Sequence, residues 1–276
     1  MERVGQGVTD IAPDDVVVPT LTPDRDRGID SHGWFRDAFV ENARDLVKIS
    51  PALADVAMLV EPLTVTHHAL CQAHALRAVR AGVELFRELS VVPQRVLVVG
   101  AGPIGLLGAL PCRTWGYVTV VTDLLETQSH RARLAGAAGC EYFDAREFTT
   151  QQIAADYGRF DIIVRASPPF EPLLAYLELL DRGGIFNLIG WEGGSRNASV
   201  DLATLIRDAV HHEWGIVGTL GGRDADFRAA VERLGVMHES FPEALNSMIT
   251  SFCAPRGLPS HVRLRPQRVK IGLDSR

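Results

Sequence analysis

The sequence has few cysteines, and their spacing suits neither a metal site nor a disulfide framework. The four in this 276-residue chain are Cys71, Cys112, Cys140 and Cys253. No two of them form a Cys-x-x-Cys pair, whereas a structural zinc site needs clustered thiolates. Disulfides are also rare in large proteins of a reducing compartment. We therefore expect four ordinary thiols, most of them buried.

Long apolar runs, a basic excess and internal repeats are missing as well. No stretch of about 18 uninterrupted apolar residues occurs, which argues against a membrane span. The formal net charge is −6, so no nucleic-acid surface is indicated. The first residues lack the apolar core of a signal peptide. These absences predict a cytoplasmic protein with neither a nucleic-acid nor a membrane partner.

Between residues 94 and 220 the sequence alternates strand and helix signals. The segments typical of strands are residues 94–100, 118–123, 139–144, 160–167, 183–190 and 215–220. The helical patterns lie at residues 103–115, 126–138, 147–157 and 171–180. Repeated strand–helix units indicate a parallel sheet with right-handed crossovers. The predicted fold class is α/β, with a doubly wound, six-stranded Rossmann sheet.

The flanking regions have a different pattern. Residues 1–60 are turn-rich, with strand signals at residues 15–19, 38–40 and 46–49. Residues 62–89 predict a junction helix, and residues 269–272 predict a strand that returns to the first region. The predicted domains are a small β region at 1–60, joined by 252–276, and a nucleotide-binding domain with the junction helix at 61–251.

The most informative stretch is Gly100-Ala101-Gly102-Pro103-Ile104-Gly105, between an apolar strand and an apolar helix. In such a turn Gly100 permits the sharp bend, Gly102 lets the backbone approach a pyrophosphate, and Gly105 allows close helix–strand packing. The helix N-terminus adds free N–H donors and a partial positive charge. The context predicts a dinucleotide site. The alternative is that the glycines serve only a sharp turn.

Asp123, at the end of the second strand of the sheet, bears on the choice of dinucleotide. An acid there can hydrogen-bond the ribose hydroxyls and repel a 2′-phosphate, which favours NAD. His130, Arg131 and Arg133 could instead accommodate that phosphate, so NADP stays open. The predicted cofactor-binding residues are Gly100, Gly102, Pro103, Ile104, Gly105, Asp123, Ser167 and Thr219.

Short motifs outside the glycine turn extend over nearly the whole chain. They are Val4-Gly5-Gln6-Gly7-Val8, Arg27-Gly28-Ile29, His32-Gly33-Trp34, Asp45-Leu46-Val47-Lys48-Ile49, Leu59-Val60-Glu61-Pro62-Leu63 and Gly215-Ile216-Val217-Gly218-Thr219. With the glycine turn they resemble the medium-chain dehydrogenase/reductase superfamily, and within it the glucose (sugar) dehydrogenase branch. The resemblance implies a reduced GroES-like β domain beside the Rossmann sheet. It also implies a homodimer or homotetramer formed through the sheet edge near residues 215–220.

The resemblance further implies a catalytic zinc, whose motif is incomplete in this sequence. In the family, the Cys and His-Glu ligands lie upstream of the motif that begins at Val4, and this sequence has only three residues before Val4. Of the family's ligand positions, Glu61 alone is matched. The family's four-cysteine lobe would lie between Pro19 and Arg27, where no cysteine stands. Either the true start lies upstream or the chain is short. We expect no structural zinc, and no catalytic zinc unless the missing ligands are restored.

The candidate catalytic residues follow from that gap. His32 is a candidate acid/base, because the pKa of an imidazole is close to neutral, and Glu61 is the second candidate. A relocated metal site of Glu61, His68 and Cys71 is one interpretation of the junction helix. The other is a helix with a buried cysteine and exposed imidazoles.

Two further departures from the family pattern concern the substrate pocket. Arg165 stands where the family carries a Glu, and Gly221 stands where the sugar branch places an Asn. The predicted function is an NAD(P)-dependent oxidoreductase that transfers hydride to or from a small polar alcohol or carbonyl, such as a sugar or polyol. The alternatives are a non-catalytic dinucleotide-binding paralogue, acting as a sensor or subunit partner, and a truncated remnant.

Overall fold

A computed structural model of the chain describes residues 1–21, 38–89, 94–167, 173–190, 199–253 and 270–273. It divides into two compact units. One comprises residues 1–68 and 221–276, and the other comprises residues 69–220. The functional domains predicted from the sequence, 1–60 with 252–276 and 61–251, have other boundaries than these units and stay a prediction.

The regular elements alternate along the chain in the order expected of an α/β protein. The strands are β1 (Val16–Pro19), β2 (Leu46–Ile49), β3 (Arg95–Val99), β4 (Val118–Asp123), β5 (Glu141–Asp144), β6 (Phe160–Arg165), β7 (Leu180–Leu188), β8 (Gly215–Gly218), β9 (Ile249–Cys253) and β10 (Lys270–Leu273). The helices are α1 (Val60–Leu89), α2 (Pro103–Thr114), α3 (His130–Ala137), α4 (Thr150–Tyr157), α5 (Leu202–His212), α6 (Asp224–Ser240) and α7 (Pro242–Ser247). Residues 51–59 and 173–179 form 3₁₀ turns.

Six parallel strands form the sheet of the second unit in the order β5-β4-β3-β6-β7-β8. This confirms the predicted doubly wound α/β fold. Val99 is in register with Thr122 on one side and with Arg165 on the other. The carboxyl ends of the central strands are therefore level. The strand order reverses between β3 and β6, and ligands of such sheets bind outside the carboxyl ends at that point.

The sheet is apolar on both faces, as expected for parallel strands covered by helices. Val96, Leu97, Val98 and Val99 on β3 are all buried. One core cluster includes Leu97, Val99, Val120, Phe143, Ile163, Leu177 and Phe186. On β7 the buried Asn187 donates from Nδ2 to the carbonyl of Ala69 at 2.8 Å. The Asn187 amide is thus a buried polar group that has a partner within this core.

The other unit contains two small sheets among its described residues. β1 and β2 pair antiparallel, with Val16 opposite Ile49. The strand predicted at 269–272 exists as β10, but it pairs in parallel with β9. The predicted pairing with residues 1–60 is wrong for the described strands, because β1 and β2 form a separate sheet. The strand predicted at 38–40 is wrong. Residues 38–40 have no regular structure and Val40 is 95% exposed, because β-propensity without a pairing strand does not make a strand.

Several helix boundaries differ from the predicted ones. α3 begins at His130, four residues later than predicted, because the Ser129 hydroxyl caps it by accepting the Ala132 N–H. A capping box between Thr149 and Gln152 starts α4 three residues late. Of the helix predicted at 171–180, residues 173–179 form a 3₁₀ turn and residue 180 already belongs to β7. The helices α5, α6 and α7 were not predicted from the sequence.

Two structural findings concern the membrane and the cysteines. No helix in the described ranges combines the length and apolar character needed to cross a bilayer. Cys112 and Cys140 are buried thiols that form no disulfide, and burial raises the pKa of Cys140 to about 12. Cys71 is exposed and forms no disulfide. The side chain of Cys253 lies outside the described set.

Candidate functional site

The turn between β3 and α2 requires glycine at its first position. Gly100 has a φ of +107°, a conformation that other residues rarely adopt. Its N–H donates to the carbonyl of Thr122 at 2.7 Å, which ties the turn to β4. A Cβ at Gly100 would lie 3.0 Å from the backbone nitrogen of Ser167. The turn therefore lies directly against the end of β6.

Gly105 lets α2 pack directly on the turn. A Cβ there would overlap the carbonyl oxygen of Gly100 and lie 3.3 Å from Cγ1 of Val98. The obstacle is backbone, which cannot rotate away as a side chain can. The close helix–strand approach predicted for Gly105 is confirmed by this contact.

Gly102 differs from the other two glycines because it faces open space. A Cβ built on it would meet no atom within 4 Å. It is the N-cap of α2, and no side chain caps the helix there. Pro103 and Ile104 beside it are half-buried. The first N–H groups of a helix have no partner inside the helix. The turn therefore offers donors and room, and a pyrophosphate fits that chemistry.

Asp123 contacts the glycine turn through hydrogen bonds that sequence reasoning missed. Its Oδ2 accepts the Ala101 N–H at 2.6 Å, and its Oδ1 accepts the Leu124 N–H at 2.7 Å. Each carboxylate oxygen can accept a further bond. The side chain thus holds the turn in place and keeps capacity for a ribose hydroxyl. That second role stays a prediction.

Two buried polar side chains at the end of β6 have unmet hydrogen-bonding capacity. The Ser167 hydroxyl is buried and has no hydrogen-bond partner in the described ranges. Arg165 is 3% exposed and donates from Nη1 to the carbonyl of Gly190 at 3.1 Å. Burial lowers the pKa of the Arg165 guanidinium. The orphaned Ser167 hydroxyl beside Gly100 is consistent with its predicted contact with a cofactor.

Thr219, at the end of β8, uses its side chain inside the sheet unit. Its hydroxyl lies 2.7 Å from Oε1 of Gln72 and 2.8 Å from Oδ1 of Asn187. Its N–H donates to the carbonyl of Leu188 at 3.0 Å. A cofactor contact by this hydroxyl would compete with those bonds. The predicted binding role of Thr219 therefore stays a prediction.

The candidate catalytic and metal residues are not brought together by the described part of the chain. His32 lies outside it, as do Arg27-Gly28-Ile29 and Gly33-Trp34. Glu61 is exposed on the first turn of α1. His68 places Nδ1 3.0 Å from Oδ2 of Asp226. No three His, Cys, Asp or Glu side chains of the described ranges are placed to hold a metal ion. The relocated metal site is therefore not formed by Glu61, His68 and Cys71, and the described residues do not fit a zinc ion.

Sequence comparison shows which proteins this chain is similar to. The family model named glucose dehydrogenase C-terminus matches residues 54–270. A glucose 1-dehydrogenase from Methanocella arvoryzae is 31% identical over 249 residues, covering 90% of this chain and 64% of that protein. A glucose 1-dehydrogenase from Thermoproteus tenax is 29% identical over 262 residues, covering 88% of this chain and 71% of that protein. The chain thus spans somewhat under two thirds of the first relative's length.

Two solved dehydrogenases share the fold of this chain. Haloferax mediterranei glucose dehydrogenase, in complex with NADP, Zn and gluconolactone, has a TM-score of 0.81 at 21% identity. The match covers 96% of this chain and 78% of that one. A short chain alcohol dehydrogenase from E. coli CFT073, complexed with NADH, has a TM-score of 0.69 at 18% identity, covering 91% and 73%. At these identities the likeness shows the shared fold.

Proposed function

Because the chain belongs to the glucose dehydrogenase C-terminal family, we propose that it is an NAD(P)-dependent oxidoreductase of the sugar and polyol dehydrogenase type. It would act on a CH–OH group of a small polar molecule, or on the corresponding carbonyl. The observation that carries this proposal is the glycine turn. The uncapped N-terminus of α2, the open space over Gly102 and the buried orphan hydroxyl of Ser167 all suit a dinucleotide.

The residues of the turn would divide the work of holding the cofactor. The N–H groups at the start of α2 bind the pyrophosphate, and Asp123 accepts a ribose hydroxyl with the lone pairs left by its backbone bonds. When bound, the nicotinamide donates or accepts the hydride. The Ser167 hydroxyl donates a hydrogen bond to the cofactor.

Proton transfer at the substrate oxygen is assigned to His32, with Glu61 as the second candidate. The unperturbed pKa of an imidazole is close to neutral, so such a group can give or take a proton at low cost. Hydrogen bonds from neutral donors would stabilise the developing charge on the oxygen.

Binding and turnover test this proposal separately. The purified chain would be titrated with NADH and NADPH by fluorescence, and then assayed for oxidation of glucose and simple polyols with and without added zinc. We expect saturable dinucleotide binding and turnover of at least one of these alcohols. Binding without turnover under every condition would favour the non-catalytic paralogue. A chain that binds neither dinucleotide would contradict both functions.

Replacing Asp123 tests the preference between the dinucleotides. Asp123→Asn removes the negative charge and leaves one oxygen to accept either the Ala101 or the Leu124 N–H. The variant weakens the hydrogen bond from the ribose hydroxyl of NADH to the Asp123 carboxylate. We expect the ratio of NADH to NADPH affinity to fall about ten-fold, since a hydrogen bond to a charged group contributes about 1.5 kcal/mol. Glu126→Gln is the control, because Glu126 is an exposed acid three residues away. If both variants keep the wild-type ratio, Asp123 does not set the preference.

The edge of the sheet supports an oligomer, and we propose a homodimer formed through β8 and α5. β8 has one neighbour among the described strands, so its outer edge leaves backbone groups unpaired. Ile216 on β8 is 51% exposed, and α5 exposes Leu202, Ile206 and Val210. An edge strand can pair antiparallel with its own copy about a twofold axis, which makes the apolar patch self-complementary.

Val210→Asp should convert that dimer to monomers. Val210 is 71% exposed, so the change is tolerated in the monomer but places a charge in the proposed interface. Light scattering after size exclusion should give twice the chain mass of 30.1 kDa for the wild type and the single mass for the variant. Val79→Asp, on another exposed valine, should leave the mass unchanged. A variant that keeps the wild-type mass places the interface elsewhere, and four chain masses would indicate the tetramer.

A further inference from the structure

Among the buried charged side chains that the structure describes, Arg165 differs from the others in having no counter-charge within the described ranges. Four charged residues are buried in the described ranges. Three of them have a titratable partner: Arg77 with Asp161, Asp144 with Arg146, and Asp226 with His68. In the described part of the chain, the partner of Arg165 is one backbone carbonyl, that of Gly190. A guanidinium does not lose its proton in proteins, and leaving it buried without an anion is costly.

The unused donors of Arg165 lie on one edge of its guanidinium. Nη1 donates to Gly190, whereas Nε and Nη2 are buried without an acceptor in the described structure. Nε and Nη2 share one side of the planar group, so their N–H bonds point in parallel. This is the edge that binds two oxygens of a carboxylate or a phosphate group.

The backbone of Arg165 lies next to the residue that precedes the glycine turn. Arg165 is in register with Val99, the residue before Gly100, and Ala166 donates to the Val99 carbonyl at 2.9 Å. Two residues further on, Ser167 contributes its own orphaned hydroxyl. Three unmet donor groups therefore lie where β3 and β6 end, the edge at which doubly wound sheets bind ligands.

We propose that Arg165, together with Ser167, binds an oxyanion of the ligand that occupies this sheet edge. The inference rests on the proposed function, because it takes the ligand to be the dinucleotide or its co-substrate. The oxyanion belongs either to the pyrophosphate of the dinucleotide or to a carboxylate on the substrate. In the second case the chain acts on a sugar acid in preference to a neutral sugar.

The experiment compares ligands that carry these oxyanions singly. Wild type, Arg165→Met and Arg165→Lys would be titrated with NADH, ADP-ribose and inorganic pyrophosphate, and their thermal unfolding followed with gluconate and with neutral glucose. Arg165→Met removes the charge at similar volume, whereas Arg165→Lys keeps the charge and loses the parallel donors. Arg182→Met is the matched control, since Arg182 lies at the surface in the same sheet unit. Should the Met variant fail to fold, the Lys variant carries the comparison.

The two sources of the oxyanion predict different results. If Arg165 binds the pyrophosphate, the Kd values of NADH and ADP-ribose rise about ten-fold or more in both Arg165 variants. If it binds a carboxylate, those values hold while the thermal shift caused by gluconate disappears and that of glucose does not change. Equal behaviour of wild type and both variants toward all these anions, within about two-fold, overturns the proposal. A wild type that binds no dinucleotide overturns the proposed function instead, and the pyrophosphate and gluconate arms still decide the role of Arg165.

Discussion

Gly105→Ala is expected to lower the free energy of unfolding by about 3 kcal/mol, at the upper end of the usual cost of overpacking. The new methyl group would overlap the Gly100 carbonyl oxygen, so either the turn or the start of α2 has to shift. Either shift moves the helix N-terminus away from its place against β3. Urea denaturation measures the loss of stability, and a fluorescence titration should show that NADH no longer saturates the variant at accessible concentrations.

Two other glycines of the same unit supply matched controls. Gly102→Ala meets nothing within 4 Å and should unfold within about 0.5 kcal/mol of wild type, yet it fills the space proposed for pyrophosphate and should raise the Kd of NADH about ten-fold. Gly136→Ala, in α3 and also free of contacts, should stabilise the fold by up to about 1 kcal/mol. If Gly105→Ala unfolds like wild type, the close packing of α2 on the turn is wrong.

Asp161→Ala should destabilise the sheet unit by about 3 to 5 kcal/mol, the cost of breaking a buried ion pair on one side. Arg77 is 4% exposed and donates to the carbonyl and to Oδ1 of Asp161 at 2.9 and 2.7 Å. The other carboxylate oxygen accepts the N–H of Arg95 at 2.8 Å. The substitution therefore leaves a buried guanidinium without its anion and a strand N–H without its acceptor. Urea denaturation would measure the effect.

A double-mutant cycle separates the charge from the packing. Arg77→Met should cost less than Asp161→Ala, because Asp161 is one-fifth exposed and keeps its bond to Arg95. The double variant should be more stable than Asp161→Ala alone, since no unpaired charge is left in the core. Asp208→Ala removes an acid from an exposed pair and should change stability by no more than about 0.5 kcal/mol. Strictly additive single effects would show that the pair is not coupled.

The six strands could be predicted because each is an apolar run bounded by turn residues. Strands of a parallel sheet are buried on both faces, so their residues are apolar in near-continuous runs. Strand bounds were correct to within about three residues. The small strand pairs were harder. Residues 38–40 have the same local signal as residues 46–49, and only the presence of β1 as a partner separates a real strand from an exposed one.

The helices α5 and α6 were missed although the sequence carries a signal for them. In α5, apolar residues recur at Leu202, Leu205, Ile206 and Ala209, and the Asp201 carboxylate caps the helix by accepting the Thr204 N–H at 3.1 Å. That spacing is typical of an amphipathic helix. Leu205 and Ala209 pack against the core, and Ile206 lies exposed on the other side.

The candidate site was only partly readable from the sequence. The separate roles of Gly100 and Gly105 could be predicted from the motif, because its first glycine permits the tight turn and its third allows close helix–strand packing. The bond from Ala101 to Asp123 depends on how two strand ends meet, which no local pattern encodes. The burial of Arg165 runs against the usual exposure of arginine, so composition alone would place its side chain in solvent.

The first unit is built from two segments separated in sequence by the whole of residues 69–220. Synthesis on the ribosome proceeds from the N-terminus, so every strand of the six-stranded sheet is available before residues 221–276 exist. The sheet can therefore form co-translationally, while residues 1–68 wait for the segment that completes their unit. A pause or early termination after residue 220 would release a chain with an intact dinucleotide turn and an unfinished partner unit.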